Sequence, residues 1–234
     1  MRQALITGGA RGIGWGIANA MLEAGYVVTV TGLTPDEIKS VPARERLNAV
    51  QLDVTSDAQV ANFLAGFDSL DVLVNCAGII MRGAEYEIET FKKVVDVNLT
   101  GTMRMCVTAK PLLAKSGNAA IVNTASMLSF FGGPLAPAYA ASKGGISQLT
   151  KSLAIAWAAE GIRVNAIAPG WISTELTRGL TSDEARSTAI LARTPMKRWG
   201  EPADIGGSIV YLCSDAARFV TGIVLPIDGG YAAM

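Results

Sequence analysis

Histidine is absent from all 234 residues. That excludes a Ser-His-Asp triad, a Cys-His dyad and any His-ligated metal, and no metal site is expected. Cysteine is scarce. Cys76, Cys106 and Cys213 lie too far apart for a local metal-binding motif, and three of them argue for a reducing compartment rather than a disulfide framework. Long hydrophobic runs are missing too. The longest clean apolar stretches, such as Leu153 to Ala159, reach seven residues, whereas a membrane span needs about 20. Mean hydropathy of +0.34 therefore does not imply a membrane protein. Met1 to Thr7 run straight into a glycine cluster, so no secretory segment is expected and a cytoplasmic location is. Twenty basic and twenty acidic residues cancel, which leaves no electrostatic footprint for nucleic acid or an anionic membrane. Charge itself is sparse, at 17% of residues against about 25% in a typical soluble domain. Surface hidden in a homo-oligomer explains that scarcity; a monomer rich in alanine and glycine is the alternative.

What is present is a regular alternation. Short β-branched runs recur at Ala4 to Thr7, Tyr26 to Thr31, Ala49 to Val54, Asp71 to Val74, Ala120 to Thr124, Arg163 to Ile167 and Ile223 to Ile227. Between them, apolar residues fall at helical spacing, as in Ile13, Ile17, Ala20, Met21 and Ala24 before Gly25. No linker or repeat interrupts the pattern, so residues 1–234 read as one α/β domain. Its expected core is a doubly wound parallel sheet of seven strands with helices on both faces. Ligands bind such sheets beyond the carboxyl ends of the strands.

The first strand ends in Thr7-Gly8-Gly9-Ala10-Arg11-Gly12-Ile13-Gly14, which opens a helix. Gly8 can turn the chain, Gly12 admits a ligand to the backbone and Gly14 lets helix and sheet pack closely. The unpaired N–H groups of the helix start suit a pyrophosphate. Further along come Asn75-Cys76-Ala77-Gly78, Asn98 within Val97-Asn98-Leu99-Thr100-Gly101, and Ser126 after the fifth strand. Tyr139-Ala140-Ala141-Ser142-Lys143, Pro169-Gly170-Trp171-Ile172-Ser173-Thr174 and Asp228-Gly229-Gly230 follow. In this order and spacing the chain resembles the short-chain dehydrogenase/reductase family over essentially its whole length.

The resemblance implies a Rossmann fold, an NAD(P) cofactor and a catalytic set of Asn98, Ser126, Tyr139 and Lys143. Tyr139 would exchange a proton with a substrate hydroxyl or carbonyl while Ser126 holds the reacting oxygen. Lys143 would bind the nicotinamide ribose, and Asn98 would hold a water linking the lysine to solvent. The implied cofactor contacts are Gly8, Arg11, Gly12, Ile13, Gly14, Leu33, Asp53, Val54, Asn75, Ala77, Gly78, Tyr139, Lys143, Pro169, Gly170, Ile172 and Thr174. The residues themselves support the chemistry. Tyr139 and Lys143 are four apart and project from one helix face, and a neighbouring ammonium favours a phenolate. A fall of about two to three pKa units, roughly 3–4 kcal/mol, would bring Tyr139 into range for general acid–base work.

The second strand ends Thr31-Gly32-Leu33-Thr34 with no acid before Asp36, and Arg11 is the nearest cation for a 2′-phosphate. This favours NADP over NAD; Arg11 is otherwise a surface charge on the turn. Asp53 would meet the adenine or simply start a helix. Pro35 and Pro42 leave only a stub, Asp36 to Lys39, where relatives have a full helix, and Asp57 to Phe67 also reads as trimmed. Cys76 stands where the family has a second asparagine, as a buried thiol rather than a nucleophile. Residues 175–196 would form a lid over the substrate. Met81-Arg82-Gly83 and Arg198-Trp199-Gly200-Glu201-Pro202 look most similar to the sugar-acid (gluconate-type) dehydrogenases, with 3-oxoacyl-carrier-protein reductases next. Trp171 and Trp199 would line the substrate region or be buried. The implied partners are a small hydroxy or keto substrate and further copies of the chain as a homotetramer or dimer. The helix Ile205 to Leu212 would lie near that interface. A non-catalytic dinucleotide-binding regulator is the remote alternative.

Overall fold

Apolar and β-branched residues favour buried strands, and the seven runs all become strands in the computed structural model, which describes residues 1–234. They are β1 (Gln3–Thr7), β2 (Val27–Gly32), β3 (Leu47–Gln51), β4 (Val72–Asn75), β5 (Ala119–Thr124), β6 (Ile162–Pro169) and β7 (Val224–Ile227). Every pairing is parallel, in the order β3-β2-β1-β4-β5-β6-β7. The third run ends earlier than its composition suggests. Asp53 Oδ1 accepts hydrogen bonds from the Thr55 backbone N–H at 2.9 Å and hydroxyl at 2.7 Å, an aspartate turn that takes the chain out of the sheet. Asp53 and Val54 therefore lie beyond β3.

Because successive strand residues face opposite sides, Ala4 and Ile6 enter one core layer and Leu5 the other. The first layer holds α1 (Gly12–Glu23) and α9 (Pro202–Cys213); the second holds α3 (Asp57–Leu64), α5 (Gly101–Leu113) and α6 (Pro137–Trp157). Ile205, Ile209 and Leu212 are fully buried against the first layer. The apolar face of α9 is thus spent inside the chain, and Tyr211 is among its outward residues. The approach of α1 to α9 is close enough that a Cβ on Gly16 would stand 2.4 Å from the Pro202 carbonyl oxygen. That contact fixes the direction in which the start of α1 points.

Both segments expected to be trimmed are short. Only α2 (Pro35–Lys39) follows β2, and α3 is eight residues long. The remaining helices are α4 (Ile88–Val95), α7 (Arg178–Thr181) and α8 (Glu184–Arg193). Strand order reverses between β1 and β4, where their carboxyl ends diverge and leave a crevice.

Candidate active site

The crevice is a cleft of about 600 Å³. Its floor at one end is the glycine turn. Gly8 and Gly12 have φ of +62° and +55°, backbone that favours glycine. A Cβ on Gly14 would sit 2.3 Å from the Gly8 carbonyl oxygen, so helix and turn lock together only without a side chain there. No side chain caps the start of α1, and its free N–H groups face the cleft that Gly12, Ile13 and Gly14 line. Leu33, Asp53, Val54, Ala77, Gly78 and Thr174 line it as well, and Tyr139 and Lys143 close the other end.

Four expected cofactor contacts do not line the cleft. Asn75 is buried and donates to Asn123 Oδ1 at 2.9 Å and Cys106 Sγ at 3.2 Å, bracing β4 against β5. Pro169 is the last residue of β6, paired with Ile227. A Cβ on Gly170 would lie 2.6 Å from Asp228 Cα, so its role is to let two loops touch. Ile172 is buried and lines a neighbouring cavity of about 230 Å³. Trp171 lines that cavity too, edge-on to Trp199 at 6.0 Å and to Tyr231 at 6.2 Å.

Asn98 is fully buried behind the cleft wall, whereas Ser126 is partly exposed beside Tyr139. Asn98 falls in a single π-helical turn, Asp96–Thr100, a feature common at functional sites. Its Oδ1 accepts from the Ile79 N–H at 2.8 Å, and Nδ2 donates to the Ile79 carbonyl at 2.9 Å and Ser142 Oγ at 3.1 Å. Both amide hydrogens are therefore used, and the side chain fixes the Gly78–Ile80 wall. Ser142 in turn donates to the Tyr139 carbonyl at 2.8 Å. Ser126 Oγ accepts from the Leu128 N–H at 3.2 Å, and the neighbouring Ser129 hydroxyl donates to the Lys143 carbonyl at 2.6 Å.

Lys143 is buried, its Nζ donating to the Thr124 carbonyl at 2.6 Å and lying 5.5 Å from the Tyr139 ring centre. Burial pulls its pKa down to about 8. Tyr139 moves the other way from the expected fall. Burial pushes the phenol above its ordinary value, outweighing the opposing pulls of the Ser126 hydroxyl and the Arg82 guanidinium. The physical reason is that a desolvated phenolate costs more than these neighbours return.

Two acids escaped the sequence reading. Glu85 is fully buried and accepts from the Met81 N–H and the Tyr139 N–H, both at 2.8 Å. Glu37 lines the cleft and pairs with Arg11 at 2.9 Å, so the cation expected for a 2′-phosphate is already engaged. The Thr34-x-x-Glu37 spacing was the available signal, since a capping box returns the glutamate to the N-cap backbone. Tyr231, which Arg193 covers at 4.3 Å, carried no signal. Among the charges of residues 175–196, Arg178 pairs with Glu175 and Arg186 with Asp183.

The cleft thus joins an uncapped helix start, a glycine turn open to a ligand, and a Tyr–Lys pair, a set that fits a nicotinamide dinucleotide. Known proteins agree. A family model described as enoyl-(acyl carrier protein) reductase matches residues 8–232. The 2-dehydro-3-deoxy-D-gluconate 5-dehydrogenase of Bacillus subtilis (strain 168) is 41% identical over 239 residues, 98% of this chain and 94% of that protein. The cis-4-hydroxycyclohexanecarboxylate dehydrogenase of Sinomonas cyclohexanicum is 38% identical over 100% of this chain and 97% of its own. Among solved structures, a gluconate 5-dehydrogenase from Burkholderia cenocepacia J2315 in complex with NADP and tartrate superposes with a TM-score of 0.94. It is 34% identical, covering 100% of this chain and 96% of that one. The chain belongs to the short-chain dehydrogenase/reductase family of NAD(P)-dependent oxidoreductases.

Proposed function

We propose that this enzyme interconverts a secondary alcohol and a ketone on a small hydroxy or keto sugar acid, with Tyr139 as the general acid–base. The observation that carries the reading is that one cleft is lined by the glycine turn at one end and by Tyr139 and Lys143 at the other. A nicotinamide dinucleotide bound there supplies the hydride acceptor or donor. The Gly12–Gly14 backbone would hold its pyrophosphate, and Lys143 its nicotinamide ribose.

The chain's own part is proton transfer and orientation. With its pKa raised by burial, the phenol is protonated at neutral pH and suited to give its Oη proton to a ketone oxygen. In the oxidative direction the same oxygen takes the alcohol proton. Lys143, still largely an ammonium below its pKa of about 8, stabilises the tyrosinate that ketone reduction leaves and alcohol oxidation consumes. Ser126 holds the reacting oxygen near Tyr139, and Asn98 positions the facing wall.

The carboxylate of the substrate falls to Arg82. Its guanidinium acts on Tyr139 and is exposed, donating to the Leu176 carbonyl at 3.4 Å with no carboxylate partner. The lid arginines Arg178 and Arg186 are paired with acids on their own helical turns. Residues 175–196 act as a lid on a single domain spanning 1–234, and Glu175 and Leu176 already line the cleft. A homotetramer or dimer is supported by exposed apolar side chains: Val107 on α5, Ile155 on α6, Tyr211 on α9, and Phe219. A cytoplasmic location accords with this reading; no helix is long and apolar enough to cross a membrane.

The test is a substrate panel followed by absorbance of the reduced nicotinamide. Hydroxy and keto sugar acids should turn over, their amides poorly, and carrier-bound 3-oxoacyl thioesters not at all. Equal rates with acid and amide would remove Arg82 from recognition; preference for the thioester would overturn the substrate class.

A further inference from the structure

At the adenine end of the cleft, one carboxylate is held unusually firmly. Glu37 Oε2 accepts from the Leu33 N–H at 2.6 Å and the Thr34 N–H at 3.3 Å, while Oε1 pairs with Arg11 Nη2 at 2.9 Å. The Glu37 side chain is 18% exposed, against 66% for its arginine partner. Gly32 makes the approach possible, since a Cβ there would meet Glu37 Oε2 at 3.0 Å. Gln51 Nε2 donates to the Leu33 carbonyl at 2.9 Å and fixes the end of β2 beneath it. Arg11, Gly32, Leu33 and Glu37 all line the cleft.

In dinucleotide sites of this architecture, the end of the second strand meets the adenosine ribose. An acid there accepts the 2′-hydroxyl of NAD, whereas a nearby arginine accommodates the 2′-phosphate of NADP. Here both residue types are present, and they are bonded to each other. Resting on the dinucleotide reading above, we propose that Glu37 is the residue by which this cleft discriminates between the two cofactors, and that it selects NAD. Its carboxylate offers an acceptor to the ribose hydroxyls. Against a 2′-phosphate it sets like charge, and it withholds the only cation of the turn. Binding NADP requires breaking the Arg11 pair and placing the phosphate beside a preorganised carboxylate; binding NAD requires neither.

The test is titration calorimetry of NADH and NADPH on the purified full chain, with 5′-AMP and adenosine 2′,5′-bisphosphate as fragments lacking nicotinamide. Wild type should bind NADH and 5′-AMP more tightly than their 2′-phosphorylated counterparts. Glu37→Gln keeps the shape, releases Arg11, and should move the Kd ratio toward NADPH by about tenfold or more. Arg11→Gln leaves the Thr34–Glu37 cap intact and should weaken NADPH while sparing NADH, so the test survives poor folding of the first variant. A wild type that prefers NADPH, a smaller shift in a folded Glu37→Gln, or equal losses in Arg11→Gln overturns the assignment of Glu37 alone. If neither dinucleotide binds wild type, the cofactor reading falls and this assignment with it.

Discussion

Glu85 Oε2 accepts a hydrogen bond from the Tyr139 backbone N–H at 2.8 Å, inside the first turn of α6, where Glu85 has no exposed surface. A carboxylate suits that position because the N-terminus of a helix carries partial positive charge. The other oxygen holds the Met81 N–H at 2.8 Å, so one side chain ties the loop after β4 to the helix that carries Tyr139 and Lys143. The same charge raises the Tyr139 pKa. Glu85→Gln turns one acceptor into a donor facing an N–H, with an expected loss of about 1–3 kcal/mol. Removing the charge should also shift the Tyr139-dependent limb of the kcat/KM profile to lower pH. Thermal melts and the pH profile check the two effects separately; a lower Tm with an unmoved limb would reduce Glu85 to a purely structural brace.

Tyr139→Phe removes the hydroxyl proposed to exchange the substrate proton but keeps the ring under the Lys143 ammonium. Turnover should fall by about 10²–10⁴-fold, the usual worth of a positioned acid–base group. Dinucleotide affinity should stay within about threefold of wild type. Steady-state kinetics beside a fluorescence titration of NADH decide the matter. Comparable loss of binding would mean that the hydroxyl holds cofactor rather than moving a proton.

The strands were legible because most are apolar or β-branched runs bounded by polar or glycine breaks, the pattern of a parallel sheet covered on both faces; the edge strand β3 departs from it, with Asn48 and Gln51 exposed. Gly8, Gly14, Tyr139 and Lys143 were legible because sequence spacing alone puts them at a strand end or on one helix face. Side chains that fold back were not. Glu37 reads as a helix-surface acid, and only the return of its carboxylate to the Leu33 and Thr34 amides brings it into the cleft. Asn75 and Gly170 were also read as cofactor contacts, and neither lines the cleft. Each sits in a motif that reaches the site, yet one braces two strands and the other admits a neighbouring loop. The direction of the Tyr139 shift depended on burial, which no spacing reveals.

The depressed pKa of Lys143 has two consequences at alkaline pH. Activity that needs the ammonium should decline as pH rises through about 8. Stability should move oppositely. A lysine whose folded pKa lies below its ordinary 10.5 is destabilising wherever both states are charged; the cost, about 3 kcal/mol by linkage, is full below pH 8 and disappears toward pH 10.5. Lys143→Met should therefore narrow its stability difference from wild type across this window, because only wild type gains from deprotonation there. Urea unfolding at pH 7, 8.5 and 10 measures the trend. A difference that does not change with pH would place Lys143 in a wetter environment than its contacts indicate.

Adjacent glycines on α9 should respond with opposite signs. A Cβ on Gly206 would fall 2.5 Å from Ala20 Cβ on α1, whereas one on Gly207 meets nothing within 4 Å. Gly206→Ala must push the two helices apart, with an expected loss of about 1–3 kcal/mol from overpacking. Because the same contact aims α1, its free N-terminus should shift and NADH binding weaken. Gly207→Ala only removes the flexibility of an exposed helical glycine and should raise stability by roughly 0.5–1 kcal/mol without touching the cofactor. Denaturant midpoints and one NADH titration per variant suffice. If Gly206→Ala destabilised the chain but left NADH binding unchanged, the packing of α1 on α9 would hold the core together without setting the geometry of the phosphate-binding turn.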